Sequence, residues 1–466
     1  MEKVGILVIS KCLGGAAILD AFLRSEKYVP EFYVVAKQAN PFLSRRAKAF
    51  RVSPDLELRA IAGFARRNRS RIAFGLTDTE DFVTAGGRDL LERDSGVQMV
   101  CVSREYAVEG SKADQRVLFE KIFPEANPQY AIFDPARYGS RDDARNDFRR
   151  SLAEIESPVI KPDAPARGAG VGVWGSDFDT VRGAESFFLD LLSKGRVVVE
   201  ERVEGEESSF QAFSDGKHFV PLPLTRDYKR SLDGNKGSLT GGMGSYRGPE
   251  KQLPFITRRD WESLAEREEQ AFRRWRGRGS NPGLRGVVLY DAIMHTGSGF
   301  KVLERNSRGG NTEFINLLAT LEDDFAEVCF RMLEGTLKTV RSGRKASVVT
   351  CAVPLAYGAA GAEPKAGESV VFSRAEKESE KSGGGLRVFP MDVRLEKGRC
   401  LLGRSRAVAV VGVADSIEDA RQTSIRGCGL LGGPLRWRSD IASPSDIRRS
   451  RRHMEELKKR LPGSSA

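Results

Sequence analysis

The 466-residue sequence predicts an α/β protein with about three domains. Two observations predict this class. In roughly the first hundred residues, short apolar runs alternate with segments of helical spacing, which is typical of parallel strands joined by helices. Further along, strand-like runs follow one another with glycine-rich turns between them, which indicates antiparallel sheets.

The N-terminal strands are predicted at residues 4–10, 32–36, 71–75 and 97–102, with a helix at 16–25 after the first strand. The pair Gly14-Gly15 lies at the turn from that strand to that helix. A helix N-terminus can accept a phosphate, but two glycines at such a turn also serve simple turn geometry, and both interpretations stay open.

In the middle region strands are predicted at 157–161 and 196–200, and those at 208–213 and 218–222 continue an antiparallel set. Two strands joined by a turn are predicted at 286–294 and 300–304, and further strands at 347–353, 388–395 and 407–412. Residues 232–246 are predicted to form a glycine-rich loop, and its 15 residues are long enough to indicate a function. A second loop or insertion is predicted at 358–385. Helices are predicted at 178–193, 261–274 and 416–427, and one begins at about 312.

Composition excludes several classes. Apolar residues make up 40% and charged residues 30% of the chain, an ordinary globular balance. There is no uncharged apolar stretch of about 18 residues, and residues 1–9 resemble a strand rather than a signal peptide, so we expect a cytoplasmic protein without a membrane span. The six cysteines are scattered without a CxxC pair, which favours reduced thiols.

The net charge of +11 suits anionic, phosphorylated substrates. Nucleic-acid binding is an alternative explanation. The basic residues are spread along the chain, however, with one local cluster at 448–452 and no nucleic-acid-binding signature, so a nucleic-acid partner is not expected.

Asp291, Glu304 and Asn306 are candidate metal ligands. Residues i and i+2 of a strand face the same side, so Glu304 and Asn306 are predicted to point together, with Asp291 on the neighbouring strand. Their hard oxygen donors suit Mg²⁺ that bridges the phosphates of a nucleotide. A polar, solvated hairpin explains the same residues equally well.

The acidic segment at 200–208 follows an apolar strand. Glu200, with the backbone from Glu201 to Val203, could recognise an adenine edge, and Glu207 could accept hydrogen bonds from ribose hydroxyls. An acidic surface turn is the alternative.

Two lysines and a glycine-rich loop are candidate phosphate ligands. Lys112 follows Ser111, and Lys161 lies at the end of a short strand; an ammonium group is a compact partner for phosphate. The loop that contains Arg167 and Gly168 has backbone N–H groups that could cover phosphates, although it is not a P-loop. A single lysine or glycine-rich turn is more often structural.

The order of these features resembles the ATP-grasp superfamily, and within it the phosphoribosylamine–glycine ligase (glycinamide ribonucleotide synthetase) family. The resemblance covers most of the chain and is most specific between residues 196 and 308. The matching segments lie at 109–113, 199–210, 221–225, 227–230, 240–246, 301–308 and 437–441, and the Thr-Gly-Gly-Met-Gly loop at 240–244 is the most distinctive.

The resemblance implies an ATP-grasp fold with an N-terminal parallel βαβ domain (1–105) and a small C-terminal α+β domain (341–446). The ATP-grasp domain would span 106–340, with a mobile lid at about 130–195, and 447–466 would form a basic tail. The implied reaction, in purine biosynthesis, joins glycine to 5-phosphoribosylamine through an acyl phosphate. It uses ATP with Mg²⁺ or Mn²⁺, in a monomer or homodimer.

Site roles are implied in the same way. Arg308 and Lys161 would be catalytic, and Asp291, Glu304 and Asn306 would bind the metal. The residues that would bind the nucleotide are Lys112, Lys161, Arg167, Gly168, Glu200, Glu201, Val203, Glu207 and Lys229.

The sequence departs from the family pattern at four places. The family's Gly-Gly-Arg-Glu-His, Gly-Pro-Glu and Gly-Asp-Pro-Glu are replaced at 14–18, 75–77 and 310–313, and Ala169 stands in place of a loop lysine. The first three changes fall where the amine and amino-acid substrates would bind. Two alternatives therefore stay open: an ATP-grasp ligase for a different amine and carboxylate, and a non-catalytic nucleotide-binding regulator.

Overall fold

The structure is a computed structural model that describes residues 1–164, 170–359 and 363–460. The strands are β1 (Glu2–Ser10), β2 (Tyr28–Ala36), β3 (Ala47–Val52), β4 (Phe74–Thr77), β5 (Gln98–Met99), β6 (Tyr130–Phe133), β7 (Pro158–Pro162), β8 (Gly172–Val173), β9 (Val197–Glu201), β10 (Glu206–Asp215), β11 (Phe219–Pro221), β12 (Arg226–Asp227), β13 (Arg230–Leu232), β14 (Lys236–Leu239), β15 (Gly244–Arg247), β16 (Arg285–Thr296), β17 (Gly299–Asn306), β18 (Ala346–Pro354), β19 (Leu386–Pro390), β20 (Val393–Glu396), β21 (Arg399–Leu402), β22 (Val408–Ala414) and β23 (Leu435–Arg436).

The helices are α1 (Gly15–Leu23), α2 (Pro41–Arg46), α3 (Leu58–Arg67), α4 (Glu80–Thr84), α5 (Gly87–Ser95), α6 (Lys112–Ile122), α7 (Arg141–Ser151), α8 (Val181–Leu192), α9 (Arg258–Arg276), α10 (Glu313–Ala319), α11 (Phe325–Glu334), α12 (Ser373–Lys381), α13 (Ile417–Cys428) and α14 (Pro444–Lys459). No helix in the described ranges is long and apolar enough to cross a membrane.

The chain divides into two compact units. The first contains residues 1–107, 208–290 and 306–452, and the second contains 108–207, 291–305 and 453–466. The first crossing, after residue 107, lies next to the predicted boundary after 105. The division into an ATP-grasp domain, a C-terminal domain and a tail stays a proposal, since the compact units group these segments differently.

The N-terminal sheet of the first unit is parallel, in the order β3-β2-β1-β4-β5. Its central strand β1 is buried from Val4 to Ser10, as expected of a strand covered on both faces. The predicted parallel βαβ arrangement is confirmed. Strand β3 was not predicted, because at the sheet edge its apolar residues alternate with Lys48 and Arg51 and its side chains are only half-buried or exposed.

The second sheet of the first unit is antiparallel, in the order β12-β15-β18-β22-β19, with β23 on β18. All nine residues of β18 are buried. Helix α13 lies so close to β22 that a Cβ on Gly412 would be 1.9 Å from the carbonyl oxygen of Ala420. Only glycine fits that approach.

Two predicted loops contain regular structure. Residues 232–246 contain the last residue of β13, all of its hairpin partner β14 and most of β15. The prediction of one long loop is therefore wrong. The hairpin escaped prediction because β14 is polar and mostly exposed, which leaves no apolar alternation. Helix α12 lies within the predicted loop 358–385 and buries only Ala375, so it lacks an apolar face.

The second unit contains the antiparallel sheet β6-β9-β7-β8. Its core is apolar, and the rings of Phe148 on α7 and Phe188 on α8 stack at 4.4 Å. The unit also contains α6 and part of the neighbouring strands β16 and β17.

Candidate nucleotide and metal site

Lys161 and Glu200 form a buried ion pair in the second unit. Their strands, β7 and β9, pair so that Lys161 lies opposite Val198 and Val159 lies opposite Glu200. Lys161 and Glu200 are therefore diagonal neighbours on one face of the sheet. Lys161 Nζ donates to Glu200 Oε2 at 2.6 Å, with side-chain exposures of 12% and 2%. The predicted phosphate-binding lysine is thus held in place by the predicted adenine-binding glutamate.

Arg116 on α6 completes this cluster, and sequence reasoning missed it. Its Nε donates to Glu200 Oε1 at 2.9 Å, and its Nη1 donates to Asn127 Oδ1 and the Val302 carbonyl, both at 2.9 Å. Its Nη2 donates to the Leu303 carbonyl. Arg116 therefore connects α6, β9 and β17, and its contact with Leu303 lies one residue before Glu304.

Both cations of this cluster stabilise the carboxylate of Glu200. Burial lowers the pKa of Lys161, and the carboxylate of Glu200 opposes that shift. Burial raises the pKa of Glu200, but Arg116 and Lys161 outweigh it and hold this pKa below its usual value. Glu200 is therefore ionised at neutral pH, with both oxygens bound to cations. Contact with an adenine edge would then fall to the neighbouring backbone rather than to the Glu200 carboxylate.

The neighbouring backbone is partly committed to the sheet. The N–H of Glu201 donates to the Gln129 carbonyl at 3.0 Å, and that of Arg202 to the Ser157 carbonyl at 3.0 Å. Val203 and Glu207 are half-buried. Their nucleotide contacts stay a prediction.

Lys112 lies beside the end of β7. It is the first residue of α6, whose N-cap is Ser111. Asp163, which follows β7, accepts from Ser111 Oγ and from the N–H of Ala113, both at 2.8 Å, and Lys112 Nζ lies 3.4 Å from the Ala164 carbonyl. Both candidate lysines are therefore tied to one strand. Arg167 and Gly168 lie outside the described residues.

Asp291 is buried in an ion pair with Arg305. Arg305 Nε donates to both carboxylate oxygens, at 2.9 and 3.1 Å, and Nη2 donates to Oδ2 at 2.5 Å. Both side chains are fully buried. Arg305 lies between Glu304 and Asn306 on β17, and alternation turns it to the opposite face. Asp291 is thus bound to Arg305 here, and its grouping with Glu304 and Asn306 around a metal stays a prediction.

Glu304 and Asn306 both lie on β17, two residues apart, so they face the same side of the strand as expected. They remain the candidate metal ligands. Across the described part of the chain, no three or more His, Cys, Asp or Glu side chains are grouped to hold a metal ion. A metal bound by Glu304 and Asn306 would therefore also need oxygen donors from nucleotide phosphates or water.

Three predicted site residues belong to the first unit. Arg308 lies near Glu80, with Nε 3.6 Å from Oε2, and lines a cavity together with Thr77, Asp78 and Asn311. Lys229 follows β12, and its carbonyl accepts from the N–H and hydroxyl of Thr240, both at 2.8 Å. Asn306 is the third of these residues.

The Gly14-Gly15 turn is closed by Asp78, which sequence reasoning also missed. The Asp78 carboxylate accepts from Ser10 Oγ (2.7 Å) and from the N–H groups of Lys11 (2.8 Å), Gly14 (2.9 Å) and Gly15 (2.8 Å). Burial raises its pKa. A carboxylate of the chain itself thus occupies the N-terminus of α1, which favours the turn interpretation over a phosphate site. The available signal was that Asp78 follows β4, whose carboxyl end adjoins that of β1.

Comparisons with known proteins agree with this architecture. Residues 127–314 match the family model for the phosphoribosylglycinamide synthetase, ATP-grasp (A) domain. The chain is 32% identical over 438 residues to phosphoribosylamine–glycine ligase of Pyrococcus abyssi, covering 93% of this chain and 94% of that protein. It is 31% identical over 454 residues to the enzyme of the same name from Methanocella arvoryzae, covering 97% and 99%.

Among solved structures, phosphoribosylamine–glycine ligase from Thermotoga maritima superposes with a TM-score of 0.73 at 22% identity, covering 94% of this chain and all of that one. The biotin carboxylase domain of Hydrogenobacter thermophilus 2-oxoglutarate carboxylase matches with a TM-score of 0.66 at 15% identity, covering 97% of each chain. The family model assigns the ATP-grasp fold, and these structural likenesses agree with it.

Proposed function

Because the chain belongs to the phosphoribosylamine–glycine ligase family, we propose that it joins glycine to 5-phosphoribosylamine at the expense of ATP, releasing ADP and phosphate. The observation that carries this proposal is the buried Lys161, held by Glu200 and Arg116 on the sheet of the second unit. The single carboxylate of Glu200 faces two cations, Lys161 and Arg116, so the cluster keeps a net positive charge, and a phosphate chain is a partner that suits it.

The chain supplies positioning and charge rather than covalent chemistry. Lys161 and Lys112 would neutralise the nucleotide phosphates, and Arg308 would hold a carboxylate or the acyl phosphate. Glu304 and Asn306 would hold Mg²⁺ or Mn²⁺, which supplies further positive charge beside the phosphates. The glycine carboxylate would take up the γ-phosphoryl group, and the amine would then displace phosphate from the acyl phosphate.

A second candidate keeps the ATP chemistry but changes the amine or the carboxylate. The observation that favours it is Asp78, whose carboxylate already binds the N–H groups of Gly14 and Gly15. A phosphorylated substrate would have to displace this carboxylate in order to use the N-terminus of α1.

The test is ADP release measured while Mg²⁺, glycine and phosphoribosylamine are omitted one at a time. We expect turnover only with all three present. ADP formed only with another amine and acid would establish the second candidate. ATP binding without turnover for any pair would indicate a regulator.

The metal role is tested separately. Glu304→Gln should abolish turnover while the affinity for ATP changes less, since the lysines remain. Glu262→Gln, at an exposed position of helix α9, is the matched control and should be fully active. Full activity of Glu304→Gln would remove Glu304 from the metal site.

A further inference from the structure

The second half of the C-terminal helix α14, with the residue that follows it, binds the segment that joins β9 to β10 through two pairs of side chains. His453 Nδ1 lies 2.7 Å from Glu206 Oε1, and the Glu206 side chain is only 4% exposed. Arg460 Nη1 lies 3.2 and 3.3 Å from the two carboxylate oxygens of Glu204. The helix thus holds the loop at two acidic residues, and all four residues belong to the second unit.

Backbone packing shows that this attachment is close. A Cβ on Gly205 would lie 2.0 Å from the His295 carbonyl oxygen, and one on Gly297 would lie 2.6 Å from the Leu457 carbonyl oxygen. The loop therefore packs against the end of β16, and the turn between β16 and β17 packs against α14. Met454 and Leu457 are buried, which anchors the helix in this arrangement.

The fastened loop is the segment expected to recognise the nucleotide. It runs from Glu201 to Glu206, contains the backbone of Val203 and leads into Glu207. Residues 453–460 belong to the predicted basic tail (447–466), to which the proposed reaction assigns no role. We propose that residues 453–460 are a positioning element that fixes this loop for nucleotide binding. His453 and Arg460 act through Glu206 and Glu204 and do not touch the nucleotide. This inference rests on the proposed use of ATP.

The strength of the attachment differs between its two points. Arg460 and Glu204 are both about 60% exposed, and exposed ion pairs contribute little. The contact between His453 and Glu206 is the stronger one, because Glu206 is buried and a hydrogen bond to a buried charged group contributes more than an exposed ion pair. The effect on nucleotide binding should therefore follow His453.

The experiment uses the full-length protein and ADP as the probe, with affinity measured by calorimetry and KM for ATP measured by ADP release. His453→Ala should weaken ADP binding and raise KM for ATP about tenfold, the size expected from one hydrogen bond to a buried charged group, with kcat within about twofold. His453→Asn should recover most of the affinity, since its amide nitrogen can replace Nδ1. Arg449→Ala on the same helix, where Arg449 pairs with Asp446, is the control and should change neither quantity.

Two results would overturn the inference: His453→Ala with wild-type affinity for ADP, or a fall in kcat at unchanged KM. Glu206→Gln provides a second variant if His453→Ala does not fold, and unaltered ADP affinity in it would count equally against the positioning role. Failure of the wild-type protein to bind ADP would instead refute the proposed function.

Discussion

Replacing Arg116 by methionine should loosen β17 next to the candidate metal ligands. The side chain is 1% exposed and donates to Glu200, to Asn127 and to the carbonyls of Val302 and Leu303. Methionine fills a similar volume but donates nothing, so these acceptors lose a partner inside the protein.

The magnitude follows from which acceptors remain satisfied. In the variant Glu200 still has its ion pair with Lys161, at 2.6 Å, so its charge stays compensated. The full cost of breaking a buried ion pair, about 3–5 kcal/mol, is therefore an upper bound for this part of the loss. Each of the two carbonyls left without this donor costs about 1–3 kcal/mol. We therefore expect a loss of about 3 kcal/mol, close to a 150-fold change in the opening equilibrium.

Amide hydrogen exchange at Glu304 and Arg305 measures this loss where it arises, because a chain of this size need not unfold in one step. Arg116→Lys should fall between the two states, since one ammonium group cannot reach all the acceptors. Arg150→Met, on the exposed side of α7, is the matched control. A change below about 1 kcal/mol in Arg116→Met, or one equal to that of the control, would refute this role of Arg116.

Three further changes test the charges of the two units. Lys161→Met should raise KM for ATP at least about tenfold in the ADP-release assay, since a charged partner of the phosphates is lost; an unchanged KM would contradict the phosphate role. The pKa of Glu200 is lowered in the folded protein, so its ion pairs stabilise the fold above the ordinary carboxyl pKa of about 4.3, and this contribution disappears as the pH falls through the lower folded-state value. The difference in unfolding free energy between wild type and Glu200→Gln should therefore shrink below about pH 4, and a constant difference would count against the pairing. Asp78→Ala should lower the urea midpoint by the equivalent of about 3 kcal/mol, because buried N–H donors at the α1 turn lose their acceptor, whereas the exposed Asp81→Ala should not.

The sequence predicted the buried parts of the fold and missed the exposed ones, for a physical reason. Strand β1 is an uninterrupted apolar run because both of its faces are covered, so its pattern is visible without any partner. The edge strand β3 and the polar helix α12 bury too few side chains to leave a period in the sequence.

The residues of the candidate site were predictable where a local sequence pattern identifies them, and their contacts were not. Lys161 and Glu200 were identified from the strands that carry them, but their direct contact depends on the register between β7 and β9, which a single sequence does not contain. Arg116 and Asp78 were missed because each binds a partner more than 60 residues away in the chain, Glu200 for Arg116 and Ser10 for Asp78. Asp291 was assigned to the metal from its place on the strand next to Glu304 and Asn306, while the structure pairs it with Arg305.

The pairing of Asp291 with Arg305 changes what the proposed metal site requires. The Arg305 guanidinium also lies 4.9 Å from the centre of the Phe119 ring. On the proposed metal role of Glu304 and Asn306, the protein would supply two ligands from β17 rather than three from two strands. Mg²⁺ prefers about six oxygen ligands and usually takes part of them from substrate phosphates and water. Two protein donors are too few for tight binding of the ion alone. If Glu304 and Asn306 are the ligands, the metal and ATP should therefore bind together, because the nucleotide phosphates would supply further oxygen donors.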